Sequence, residues 1–255
     1  MVRLMSAKVR LFVEHPLGEA QPVPLSRDQA NYLFAVMRLG DDARIALFNG
    51  RDGEWIARVG QANKRGGILI CEVRTRPVLT PPDLWLIFAP IKKARTDFIV
   101  EKAVEMGARR IVPVRTAFTN SERIRQDRLQ AHAVEAAEQC GGTFVPEVAE
   151  IQRLDRLLAD WPDDRRLMFC DEDLADQESG GGAPADASDS SPADGPPDPW
   201  AILIGPEGGF SEPERAALRA LPQSEAIRLG PRILRADTAA VAALTLWQMR
   251  YGDWR

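Results

Sequence analysis

The sequence predicts an α/β protein in two parts: a small β-barrel over residues 1–78 and a mostly parallel, helix-covered sheet over 83–255. Three observations carry this. Short strand-like runs crowd the first 78 residues around one strong hairpin signal. From Asp83 onward, continuous apolar runs alternate with segments of helical period, as in a parallel sheet. Two of the last apolar runs end in glycine-bearing loops, a placement that suits a small-molecule site.

In chain order, residues 9–13 form a strand candidate, and Ser26 is a plausible N-cap for a helix over 26–37. Residues 43–48 and 54–59 flank Asn49-Gly50-Arg51-Asp52-Gly53, a hairpin turn by composition. Gly66-Gly67 precedes a strand over 68–73, and Pro77, Pro81 and Pro82 mark a linker. Residues 84–89 then form an apolar run of the kind a parallel sheet buries on both faces. Thr96 can cap a helix through Met106 that Gly107 ends, and 111–114 is the next strand. Residues 125–140 place Leu129, Ala133, Ala136, Ala137 and Cys140 on one helical face before Gly141. Strands over 144–148 and 167–170 enclose a short helix over 153–159, and a last helix spans 238–251.

Composition narrows the function. No apolar run approaches the roughly 20 residues a bilayer span needs, and the first residues lack the apolar core of a secretory signal. A cytoplasmic protein without a membrane partner is expected. Cys71, Cys140 and Cys170 are far apart, and His15 and His132 are the only histidines, so no metal site is expected. The net charge of −4 is unevenly spread: nine acids and no base lie between Asp171 and Asp198. Without them 28 acids face 33 bases, a mildly basic body compatible with an RNA partner. Residues 175–199, rich in Gly, Ala, Ser, Asp and Pro, cannot bury enough surface to offset ordering entropy. They read as a disordered acidic surface insertion between two strands.

The first loop, Ile204-Gly205-Pro206-Glu207-Gly208-Gly209-Phe210, is followed by Ser211-Glu212-Pro213-Glu214, a capping box with an early proline. Strand, glycine turn and helix N-terminus in succession suit a phosphate or a nucleoside-like ligand. The second loop, Leu229-Gly230-Pro231-Arg232-Ile233-Leu234-Arg235-Ala236-Asp237-Thr238, sets two cations around an apolar pair. Apolar side chains can pack on an adenine face while backbone groups read its edge. Arginines can hold a phosphate or stabilise a developing anion. P-loop, HExxH, GxSxG and GxGxxG patterns are all missing.

On these two loops the chain resembles the SPOUT superfamily of knotted methyltransferases, and within it the RsmE-type family that methylates a uridine N3 in 16S ribosomal RNA. Glu101-Lys102-Ala103-Val104-Glu105-Met106-Gly107, Glu135-Ala136-Ala137-Glu138-Gln139 and Tyr32-Leu33-Phe34-Ala35-Val36-Met37-Arg38-Leu39 add to the likeness, which covers nearly all but the acidic segment. Asp237, Gly142 and Asn31 depart from the residues usual there: glutamate, arginine and histidine.

The resemblance implies a PUA-like RNA-binding barrel, a methyltransferase domain with a deep trefoil knot, and a homodimer. It implies S-adenosylmethionine held by Leu203, Ile204, Gly205, Pro206, Glu207, Gly208, Gly209, Leu229, Gly230, Ile233, Leu234 and Thr238. Arg232 and Arg235 are the candidate stabilisers of the uridine anion, and Glu207 is a candidate proton acceptor. Arg10, Arg38, Lys92 and Lys93 are expected on RNA phosphates, with 16S ribosomal RNA in the small subunit as partner. The alternative is a non-catalytic RNA-binding or ribosome-assembly factor on the same fold, or a related enzyme acting on another RNA.

Overall fold

The computed structural model describes residues 7–41, 43–63, 66–120, 124–171 and 198–254. The acidic segment therefore lies outside the described residues except at its last two positions. The chain divides into two compact units: residues 1–80 with 137–145, and residues 81–136 with 146–255.

The first unit is a five-stranded mixed sheet. Its strands are β1 (Val9–Phe12), β2 (Pro22–Pro24), β3 (Arg44–Phe48), β4 (Glu54–Asn63) and β5 (Gly66–Arg76), in the order β1-β3-β4-β5-β2. Among the described residues of this unit, only the β1–β3 pairing is parallel. The ladder leaves β1 and β2 as its two edges, so the expected barrel is not closed by hydrogen bonds among the described residues. Alternate residues point inward, as a half-buried strand requires, and Val9, Leu11, Ile45, Leu47 and Leu69 share one core with Leu33. The hairpin turn is tied by Asn49, whose Oδ1 accepts from the backbone of Arg51 and Asp52.

The helix expected over 26–37 is shorter and changes type. Ser26 forms a capping box with Gln29 ahead of α1 (Arg27–Ala30), and a π-helical turn then runs over Asn31–Val36. The wider turn keeps Leu33 buried and leaves Tyr32, Val36 and Met37 on the surface.

In the second unit the elements are β6 (Leu84–Phe88), α2 (Lys93–Glu105), β7 (Arg110–Arg115), α3 (Gln126–Cys140), β8 (Glu147–Val148), β9 (Gln152–Arg153), α4 (Leu154–Ala159), β10 (Arg166–Cys170), β11 (Trp200–Ile204), α5 (Glu212–Ala220), β12 (Ser224–Ile227) and α6 (Ala236–Arg250). Every ladder is parallel, in the order β12-β10-β11-β6-β7-β8, with β9 also on β7. One face carries Ile87, Phe169 and Leu203 against Leu154 and Leu157 of α4 and Leu218 of α5. Elsewhere α6 packs on α2 and on β11.

Two local expectations are corrected. Thr96 does not cap α2: Lys92 is the N-cap, and the Thr96 hydroxyl is buried in bonds to the backbone of Ile91. The strand expected over 144–148 pairs only at Glu147–Val148.

The last residues of α3 belong to the first unit, where Arg10 caps them. Its guanidinium donates to the carbonyls of Ala137 at 2.7 Å, Glu138 at 2.9 Å and Gly142 at 2.7 Å, and to Glu54 at 2.8 Å. Arg76 donates to Gly141 O at 3.0 Å and also pairs with Glu54. These arginines satisfy carbonyls that a helix end leaves without partners. Arg10, expected on an RNA phosphate, is therefore a structural helix cap with most of its donors already used.

Candidate active site

In a parallel sheet the carboxyl ends of the strands share one edge, and ligands bind where loops leave it. Here β12, β10 and β11 are successive neighbours, so their three exits surround one cleft. Cys170 and Asp171, at the exit of β10, form its floor. Ile204, Gly205, Pro206, Gly209 and Phe210 line one wall, and Ile227, Arg228, Leu229, Gly230, Arg232, Ile233 and Leu234 the other, with Ala239 from α6. The space free of protein atoms, part of it open to solvent, is about 560 Å³.

Two glycines shape it. A β-carbon on Gly205 would sit 3.1 Å from the ring of Phe210, which is buried edge-on to Phe169. Gly230 holds φ at +135°, where a side chain would be strained. Behind the first wall, Glu214 accepts from Ser211 N at 2.9 Å in the expected capping box and from Ala117 N at 2.7 Å.

The floor is acidic but charge-matched. Asp171 is buried and accepts from Arg215 Nε at 3.1 Å and Arg219 Nη2 at 2.9 Å, which ties α5 to the end of β10. Burial pushes the Cys170 thiol up to about 12, so it faces the cleft as a neutral group, not a thiolate nucleophile. Among the described residues no cluster of His, Cys, Asp and Glu could hold a metal ion, and no helix is long and apolar enough to cross a membrane.

Of the residues expected to hold the cofactor, Ile204, Gly205, Pro206, Gly209, Leu229, Gly230, Ile233 and Leu234 line the cleft. Leu203 does not: its side chain is fully buried in the core against α4 and α5. Gly208 lies against Phe118, and Thr238 is exposed on the first turn of α6. Glu207 lies off the cleft and pairs with Arg95 at 3.2 Å, so one of its oxygens is already engaged. Arg232 is on the cleft, whereas Arg235 is the exposed N-cap residue of α6. Arg38, Lys92 and Lys93 are exposed.

Sequence reasoning missed Cys170, Asp171, Phe210, Ile227, Arg228 and Ala239 in the lining. Asp171 reads only as the first of nine acids, although its place directly after an apolar run was a usable signal. Arg95 was missed as well.

Family models fit both units. An RNA methyltransferase domain matches residues 79–248, and an RNA methyltransferase PUA domain matches residues 25–70. The chain belongs to the RNA methyltransferase family. It is 26% identical over 236 residues to the ribosomal RNA small subunit methyltransferase E of Rickettsia conorii, covering 92% of this chain and 93% of that one. The Bacillus subtilis protein of the same name is 25% identical over 248 residues, covering 92% and 94%. Among solved structures, a methyltransferase of Legionella pneumophila with bound SAM is 25% identical with a TM-score of 0.80, covering 96% of this chain and 98% of that one. A ribosomal RNA small subunit methyltransferase E of Neisseria gonorrhoeae bound to S-adenosyl methionine is also 25% identical, with a TM-score of 0.79 and coverage of 97% and 99%. This member of the family is thus an RNA methyltransferase with a PUA domain and a parallel α/β domain.

Proposed function

We propose that the cleft binds S-adenosylmethionine and that the enzyme methylates N3 of a uridine in 16S ribosomal RNA. The carrying observation is one cleft bounded by two glycine-bearing loops, with Arg232 on its lining. The names of the relatives and the SAM-bound neighbours support the substrate and the methyl donor.

The residues fit such a ligand. Ile204, Leu229, Ile233 and Leu234 offer apolar surface for an adenine ring, and the turns at Gly205 and Gly230 bring backbone groups close without a side chain in the way. When bound, the sulfonium supplies an electrophilic methyl group. A uridine N3 attacks well only after losing its proton, so the protein's task is to favour that anion and to align it. Arg232, on the cleft lining, supplies the cation for this task, and Arg235, the exposed N-cap residue of α6, holds the RNA. The proton acceptor has no assigned residue, since Glu207 is already paired with Arg95.

The finer parts of the reading belong with this proposal. Residues 1–78 serve as the RNA-binding domain, with Arg38 as one phosphate contact. Residues 83–255 carry the methyltransferase site, with Lys92 and Lys93 near the sheet edge and the chain after β12 drawn through a trefoil knot. Two copies form a homodimer in the cytoplasm.

The test is transfer of labelled methyl groups from S-adenosylmethionine to small-subunit particles lacking the modification, with the product base identified by mass spectrometry. Calorimetry with S-adenosylhomocysteine accompanies it. No cofactor binding would make the protein a non-catalytic RNA-binding factor and end the proposal.

A further inference from the structure

We infer that Arg95 is a positioning residue for the methyl donor, bracing the two loops that form the cleft. This rests on the reading of the cleft as the S-adenosylmethionine site. Arg95 lies in the first turn of α2, beside the loop that leaves β11; the chain there is joined by Ala89 N donating to Ile204 O at 3.0 Å. Its guanidinium reaches Glu207 in the first loop at 3.2 Å and lies 3.8 Å from Asp237 at the start of α6. One cation thus spans from the turn on one wall to the helix that ends the other. Arg95 does not itself line the cleft, so any effect on the ligand passes through those loops.

The second wall needs such a brace. Between β12 and α6 the chain has no helix or strand, and Ile233 is 66% exposed. Arg235 makes no side-chain cap on α6, leaving the helix start without that anchor. A planar guanidinium can serve two carboxylates in one fixed fork, which an ammonium cannot do as well. The pairs are partly exposed and therefore weak individually. They leave global folding intact and act on the population of loops already in the binding arrangement.

The experiment uses the full chain, S-adenosylmethionine calorimetry and steady-state kinetics on modification-free small-subunit particles. Arg95→Ala is expected to raise Kd and KM for the donor about three- to tenfold and to keep kcat within about twofold. Arg95→Lys should fall between that variant and the wild type. Asp237→Glu, whose extra methylene can close the 3.8 Å gap, should bind at least as tightly as the wild type. If the wild type binds and Arg95→Ala and Arg95→Lys bind equally well, the inference is overturned and the reading of the cleft survives. A fall in kcat with Kd unchanged also overturns it, since Arg95 would then act on the RNA. A wild type that does not bind the donor overturns both.

Discussion

Replacing Glu54 with glutamine gives the sharpest test of how the first unit is held. The Glu54 side chain is 8% exposed and accepts from Arg10, Thr75 and Arg76. Burial alone would raise its pKa, but hydrogen bonds from Arg76, Thr75 and Arg10 together outweigh it and hold the carboxyl at about 2, against 4.5 ordinarily. That difference converts to about 3 kcal/mol of stability at neutral pH. Because the folded-state value is depressed, the contribution is complete above pH 4.5 and disappears as the pH falls toward 2. Glutamine resembles the protonated form, so Glu54→Gln should cost about 3 kcal/mol at neutral pH and almost nothing near pH 2. Urea titrations of both proteins across that range measure it, with the first unit's transition followed separately if two appear. Equal stability at neutral pH, or a gap that stays constant down to pH 2, would refute the reasoning.

Three further outcomes follow from the same geometry. Arg10→Ala should lower the urea midpoint, because α3 loses its cap; a phosphate ligand would instead cost RNA affinity and leave the midpoint unchanged. Gly205→Ala should weaken binding of S-adenosylhomocysteine by about tenfold or more in calorimetry, since the added carbon presses on the buried Phe210 ring. Arg232→Ala should reduce turnover by roughly 10²-fold with a smaller change in donor affinity, and Arg235→Ala less, because Arg232, unlike Arg235, lines the cleft.

Much of the second unit was legible because a strand buried on both faces must be apolar throughout. β6 and β11 announce themselves that way, and the glycine loop and capping box after β11 follow in register. What stayed hidden is order in space. Nothing local says that β10 lies between β11 and β12, so the floor at Cys170 and Asp171 could not be read from neighbours in the chain. Arg10 shows the same limit. An arginine on a short strand looks like a solvated cation until the carbonyls of residues 137–142, more than a hundred positions later, are brought to it. The side chain of Leu203 shows the period of a strand: its neighbour Ile204 lines the cleft, so Leu203 packs on the opposite side.

Among the described residues, the cleft's lining comes from positions 170–239. During synthesis, therefore, the ribosome finishes β1–β7 and α1–α4 before any residue of this cleft has been made. The cleft proposed above for the methyl donor is thus among the last features of the chain to be made, and a ribosome that terminates before the second loop releases a fragment without one of its walls.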